Sequence, residues 1–106
     1  MILSIIITGY NEEKTIIKVL EKIKKNSSNL IKYEVIVIND GSTDQSRKLL
    51  ENNKHLFDKL LVNETNKGKG FSIKKGIQNT SGTHIIFQDA DLEYDPVDFK
   101  KFDLFI

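Results

Sequence analysis

Asp89 and Asp91 are the residues whose type and spacing point most directly to chemistry. They lie in the stretch Thr83 to Pro96, THIIFQDADLEYDP, where the apolar run Ile85-Ile86-Phe87 gives way to Asp89, Asp91, Glu93 and Asp95. β-Branched and aromatic residues bounded by Gly82 and by an acidic turn predict a buried strand that stops there. Residues two apart in extended backbone point to the same side, so both carboxylates would aim into one spot beyond the strand end. Converging carboxylates repel unless something positive lies between them. A hard divalent cation, which prefers oxygen ligands, would serve. Two carboxylates do not fill an octahedral shell, so waters or the oxygens of a bound diphosphate would complete it. The same two acids also fit a solvated turn, and alone they leave both readings open.

The elements that must position them read in order along the chain. Ile2 to Thr8 is a near-continuous apolar run, the pattern of a central strand buried on both faces of a parallel sheet. It breaks at Gly9-Tyr10-Asn11, where Asn11 is the expected N-cap, with Glu12 and Glu13 in the first turn of a helix to about Lys25. Ile16, Leu20 and Ile23 mark its apolar face. Tyr33 to Ile38 is a second strand, ending in Asn39-Asp40-Gly41-Ser42-Thr43-Asp44. Ser42 with Gln45 fits a capping box opening a helix through about Asn52. Leu60 to Asn63 is a short third strand. Lys67-Gly68-Lys69-Gly70 is then a turn before a helix from about Phe71 to Asn79. Alternating strands and helices predict an α/β fold, doubly wound, with a mainly parallel sheet of strand order 3-2-1-4. In such sheets ligands bind beyond the carboxyl ends of the strands where the order reverses. That rule brings Tyr10-Asn11-Glu12, Asp40 and Asp89-Ala90-Asp91 to one crevice.

Composition narrows the class. The 106 residues allow one domain, and 39% hydrophobic with 29% charged residues is ordinary for a soluble globular protein. A formal net charge of +1 gives no argument for nucleic acid or an anionic membrane. The absence of cysteine excludes disulfides, thiolate chemistry and cysteine-type zinc sites. No apolar run approaches the ~20 residues of a transmembrane helix. The amino terminus has no basic leader and no cleavage site, so a cytoplasmic protein is expected.

Two phosphate motifs fail. The dinucleotide fingerprint needs G-x-G-x-x-G after the first strand, where only Gly9 stands. Nothing fits the P-loop pattern, and Gly68 with Gly70 reads as a turn and helix start, although Lys69 could reach an anion there. Tyr10 could pack over a strand end or stack on a nucleobase. Asp40 could be a turn residue before Gly41, or could accept from base N–H groups or ribose hydroxyls.

Taken together, Ser4-Ile5-Ile6-Ile7-Thr8-Gly9-Tyr10-Asn11-Glu12-Glu13, Val35 to Asp44, Asn66 to Gly70 and Phe87 to Pro96 resemble the family 2 glycosyltransferases of the GT-A fold. The likeness is greatest to the branch of dolichyl-phosphate mannosyltransferase and related polyprenyl-phosphate glycosyltransferases. It covers the chain to about Phe99, with four motifs in order. The resemblance implies that Tyr10 and Glu12 line the base and ribose pocket, that Asp40 binds the nucleobase, and that Lys69 and Ala90 lie at the nucleotide. It implies that Asp89 and Asp91, as the family's DxD acids, hold Mg²⁺ or Mn²⁺ against the diphosphate of a GDP- or UDP-sugar. Gly9 departs from the family pattern, and Thr8 stands where proline is frequent, which is expected to loosen the strand exit.

A member of that family continues further. Residues 1–106 then read as a single truncated nucleotide-sugar-binding domain, with a core over 1–96 and with 97–106 beginning the acceptor half. A catalytic base, if the reaction needs one, would lie beyond Ile106. The implied acceptor is a polyprenyl phosphate, which would bring a cytoplasmic protein to the membrane periphery. The alternative is a non-catalytic nucleotide-binding or self-associating fragment, a homo-oligomer formed through the exposed edge of the fourth strand.

Overall fold

The computed structural model describes residues 2–25 and 31–90. β1 spans Ile2–Gly9, α1 Ile16–Lys25, β2 Lys32–Asp40, α2 Ser46–Glu51, β3 Lys59–Asn63, α3 Lys69–Ile77 and β4 His84–Asp89, with a single 3₁₀ turn at Lys54–Leu56. The four strands form one sheet in the order β3-β2-β1-β4, and every pair is parallel. This is the expected order, with its reversal between β1 and β4.

β1 is apolar on both faces because both faces are covered. Leu3, Ile5 and Ile7 pack with Val35 and Val37 beneath Ile16, Val19, Leu20 and Ile23 of α1 and Leu50 of α2. Ile6 points the other way and joins Ile36, Ile38 and Leu61, on the face where α3 packs over β1 and β2. An alternating strand would have left one face wet, and the run of isoleucines is what a strand between two helical layers requires.

β4 lies at the sheet edge among the described residues, as expected, but departs from the expected burial. It was predicted as a buried strand, yet Ile85 is 40% and Phe87 50% exposed. Ile86 faces the α1 layer and packs against its core. Ile85 and Phe87 are in register with Ser4 and Ile6, on the α3 side. α3 lies chiefly over β1 and β2 rather than over β4. Among the described residues the strand is therefore an edge, and Ile85 and Phe87 on its α3-side face are exposed.

Two predicted helix starts also moved, for one reason. Asn11 does not cap α1. It sits at φ 53°, in the left-handed region that asparagine tolerates better than most residues, and α1 begins only at Ile16. Ser42 and Gln45 form no capping box. α2 begins at Ser46, and Gln45 makes no side-chain cap. The polar groups that local capping would have used are paired between the two loops. α3 instead starts earlier than expected, at Lys69 directly after Gly68.

Candidate functional site

The loop after β1 and the loop after β2 exchange hydrogen bonds residue by residue. The backbone N–H of Asn11 donates to Ser42 Oγ at 2.9 Å, that of Glu12 to Ser46 Oγ at 3.1 Å and that of Glu13 to Asp44 Oδ2 at 3.2 Å. In return, Thr43 N–H donates to Asn11 Oδ1 at 2.8 Å and Gln45 N–H to Glu13 Oε2 at 3.3 Å. Amides that would otherwise lack partners outside a helix are satisfied across the gap. Tyr10 and Glu12 are thereby fixed beside the end of β2. Burial works to raise the Asp44 carboxyl, but the hydroxyl and N–H of Ser46 and the N–H of Glu13 outweigh it and hold Asp44 below the usual carboxylate range.

The turn before α3 is organised by Asp40. This carboxylate ends β2 and is 5% exposed. Its Oδ1 accepts from Lys67 N–H at 2.7 Å and from Asn63 Nδ2 at 2.9 Å, and its Oδ2 from Gly68 N–H at 3.0 Å. Burial alone would push its pKa up. The Lys67 N–H, Asn63, the Gly68 N–H and Ser72 together hold it below the ordinary value, so Asp40 is ionised at neutral pH. Gly41 follows at φ 70°, and a Cβ there would stand 2.3 Å from the carbonyl carbon of Thr65. Only glycine lets the 65–66 chain lie this close to the end of β2.

At the end of β4, Asp89 Oδ1 lies 2.6 Å from Lys69 Nζ, an ion pair that joins the α3 start to the β4 end. Ala90 is buried. Its N–H donates to the Thr8 carbonyl at 3.1 Å and its carbonyl accepts from Thr15 Oγ1 at 2.7 Å. A Cβ on Gly9 would meet Ala90 Cβ at 2.8 Å. Gly9 therefore does not loosen the strand exit as expected. Its missing side chain is what allows β1 and the end of β4 to close on each other.

These segments enclose a cleft of about 300 Å³ lined by Thr8, Gly9, Tyr10, Glu12, Asp40, Asn66, Gly68, Lys69, Asp89 and Ala90. All six residues singled out from the sequence as nucleotide contacts, Tyr10, Glu12, Asp40, Lys69, Asp89 and Ala90, line it. Asp91 lies outside the described residues. A second cavity of about 320 Å³ at the opposite end of the sheet is lined by Ile23, Ile31, Tyr33, Leu56 and Phe57 among others. Size does not separate the two cavities, but chemistry does. The first sits at the reversal of strand order and gathers three carboxylates, an ammonium and an exposed aromatic ring.

A divalent cation is compatible with this end of the cleft. Asp89 already attracts a cationic group, and its side chain is 28% exposed, open to a ligand from the cleft. Among the described residues no three carboxylates or imidazoles come close enough together to hold a metal ion by themselves. A metal held here would take most of its shell from ligand oxygens and water, as magnesium commonly does. Asn63, Asn66 and the Asn11–Asp44 loop exchange are the contributors that sequence reasoning missed. The one available signal was that asparagines close β3 and its following turn, where apolar strand residues end.

An open, doubly wound α/β sheet with a polar cleft at its switch point is the class that topology and site define. Residues 4–102 match the profile of Glycosyl transferase family 2, and the chain belongs to that family. Human dolichyl-phosphate beta-glucosyltransferase is 38% identical over 100 residues, covering 84% of this chain and 31% of the human protein. The crystal structure of Staphylococcus aureus TarS 1-349 in complex with UDP-GlcNAc superposes with a TM-score of 0.85 at 29% identity, over 100% of this chain and 31% of TarS 1-349. The mannosyltransferase PcManGT from Pyrobaculum calidifontis, in complex with GDP-Man and Mn²⁺, gives a TM-score of 0.73 at 26% identity, over 84% of this chain and 27% of its own. The chain spans less than half the length of the curated relatives it matches. The four-stranded parallel sheet is the amino-terminal part of the GT-A fold that these glycosyltransferase structures share.

Proposed function

We propose that this chain is the donor-binding part of a glycosyltransferase, taking a nucleoside-diphosphate sugar (GDP- or UDP-linked) together with Mg²⁺ or Mn²⁺ for transfer to an acceptor such as a polyprenyl phosphate. The observation that carries this reading is that six residues from four separate segments line one cleft at the switch point. The relatives named for dolichyl phosphate, and those whose structures hold UDP-GlcNAc or GDP-Man with Mn²⁺, support the substrate class. Tyr10, 44% exposed, offers a ring face to the base. Glu12 accepts from the ribose, and Asp40 accepts from base N–H groups. Lys69 and the backbone at Ala90 meet the diphosphate. Asp89 and Asp91 are the acids that hold the metal. When bound, the metal stabilises the charge that develops on the departing nucleoside diphosphate. Lys69 is placed to add to that stabilisation once diphosphate oxygens compete with Asp89 for its ammonium.

No helix among the described residues is long and apolar enough to cross a membrane. A polyprenyl-phosphate acceptor would bring a cytoplasmic donor-binding domain to the membrane periphery. Calorimetry with GDP and with UDP in the presence of Mn²⁺ tests the reading. Saturable binding of one nucleotide, weakened by Asp89→Ala, is expected; no binding of either, or binding indifferent to that substitution, refutes it.

A second reading, self-association, is favoured by the edge strand β4 with its exposed Ile85 and Phe87. Sedimentation of the chain over a concentration series decides it, because a monomer at the highest concentration removes it.

A further inference from the structure

We infer that Asn63 is a positioning residue for the base end of the cleft, acting through Asp40; the inference rests on the nucleoside-diphosphate reading above. Asn63 closes β3 and stands in register with Asp40 across β2. It is 4% exposed and does not line the cleft itself.

Its amide is oriented by a cation behind it. Lys75 Nζ, from the second turn of α3, donates to Asn63 Oδ1 at 3.1 Å and to the Val62 carbonyl at 3.2 Å. An ammonium only donates, so it fixes which end of the amide is oxygen. Nδ2 is then turned toward Asp40 Oδ1 at 2.9 Å and Ser72 Oγ at 3.0 Å. Ser72 is fully buried, and its hydroxyl belongs to the set that keeps Asp40 ionised. The chain of contacts runs Lys75, Asn63, Asp40, and then the backbone of Lys67 and Gly68.

A carboxylate on a single Cβ rotates about χ2 with little resistance. Two backbone N–H groups from the 67–68 turn hold Asp40 from the α3 side, and that turn is itself half exposed at Gly68. Asn63 is the partner that comes from the sheet. With it in place, the carboxylate plane is set against a rigid strand, and the edge that Asp40 presents to the cleft is fixed before a base arrives. Without it, the carboxylate keeps its charge and its turn but can swing. Binding would then have to order it, and a buried polar group would be left without its partner.

The diphosphate end does not depend on this contact. Asp89 and Lys69 are joined to each other and are held from β4 and α3. The loss should therefore be selective.

The experiment compares two probes, UDP (with GDP in parallel) and inorganic pyrophosphate, each titrated calorimetrically with Mn²⁺ into the 106-residue chain and into Asn63→Ala. Nucleotide affinity is expected to fall about tenfold, the size of a lost hydrogen bond to a charged group, while pyrophosphate affinity changes less than about twofold. Lys75→Met, which removes the cation that orients the amide together with its bond to the Val62 carbonyl, is expected to give the same selectivity at about threefold and serves where the alanine variant does not fold. Equal losses for nucleotide and pyrophosphate would mean that Asn63 merely supports the fold, and would overturn the inference. So would unchanged nucleotide binding in both variants. If the unaltered chain binds pyrophosphate and nucleotide alike and Asp40→Ala changes neither, the base-pocket reading itself fails, and this inference with it.

Discussion

The two ends of the sheet use the same bonding device with different results. At the carboxyl end, Asp40 is buried and held by Lys67 N–H, Gly68 N–H and Asn63. At the amino end, Glu34 accepts from Ser4 Oγ at 2.8 Å, from Ser81 N–H at 2.9 Å and from the Ser81 hydroxyl, with Lys59 Nζ 3.9 Å away. In both places burial alone would raise the carboxyl, and the donors outweigh it and bring it below the ordinary value. The difference lies in where the donors come from. Those of Glu34 come from β1, β3 and the loop before β4, so that network ties three strands and the loop to one another. Asp40 fixes a turn and still lines a cleft. A hydrogen-bonded carboxylate drawn out of solvent, fully like Asp40 or partly like Glu34, is thus not by itself a mark of function. What marks Asp40 is the open space beside it at the switch point of the sheet.

Substitutions can break or sharpen that contrast. The largest combined effect is expected from Asp40→Ala, which leaves the Lys67 N–H without its acceptor and the Gly68 N–H with Asn66 Oδ1 alone, and should cost about 1–3 kcal/mol of stability as well as nucleotide affinity. Chemical denaturation read beside calorimetry measures both quantities; a loss of stability with affinity intact would make Asp40 the same kind of residue as Glu34. Glu34→Ala should also cost about 1–3 kcal/mol, since it leaves Ser81 N–H and two hydroxyls without their acceptor. Its nucleotide affinity should stay at that of the parent, and any selective drop there would dissolve the contrast between the ends. Acid titration reports on both sites at once. Asp40, Asp44 and Glu34 all have lowered folded-state pKa values. The stability they contribute is fully present above their ordinary values and is lost as pH falls through the lowered ones. Denaturation midpoints should therefore hold from neutrality to about pH 5 and fall steeply below about pH 4. The Glu34→Ala variant should show a shallower decline, and an unchanged slope would count against its lowered pKa. The smallest effect is expected for Arg47→Ala. Arg47 and Glu51 form an i,i+4 pair on α2 with both side chains about half exposed. Its loss should cost no more than about 0.5 kcal/mol, and thermal melting that shifts by much more would show that α2 depends on its surface charge.

Much of the architecture was legible because it depends on pattern. A strand apolar on both faces, such as Ile2 to Thr8, needs a layer on each side, and alternating elements then leave few topologies. The switch-point rule brought Tyr10, Glu12, Asp40 and Asp89 together with no contact known. What failed was local. Asn11 and Ser42 looked like helix caps, and both were taken by partners about 31 residues away. β4 looked buried from its composition, but burial depends on whether a neighbouring layer reaches that far. Gly9 looked like a looseness and proved to be a close contact with Ala90.

The sequence by itself determined which segments are strands, their order in the sheet, and which polar residues end them, because strand periodicity and crossover handedness are properties of short stretches of chain. Tertiary structure alone decided which loop amides pair with which loop side chains. It also joined Lys69 to Asp89, and it made Asn63, a plain strand-end asparagine, the residue that orients Asp40. The physical reason is that a hydrogen bond or ion pair depends on distances of a few tenths of an ångström between residues far apart in the chain. Those distances are set only after the core of Ile5, Ile6, Ile7, Ile36 and Ile38 has packed.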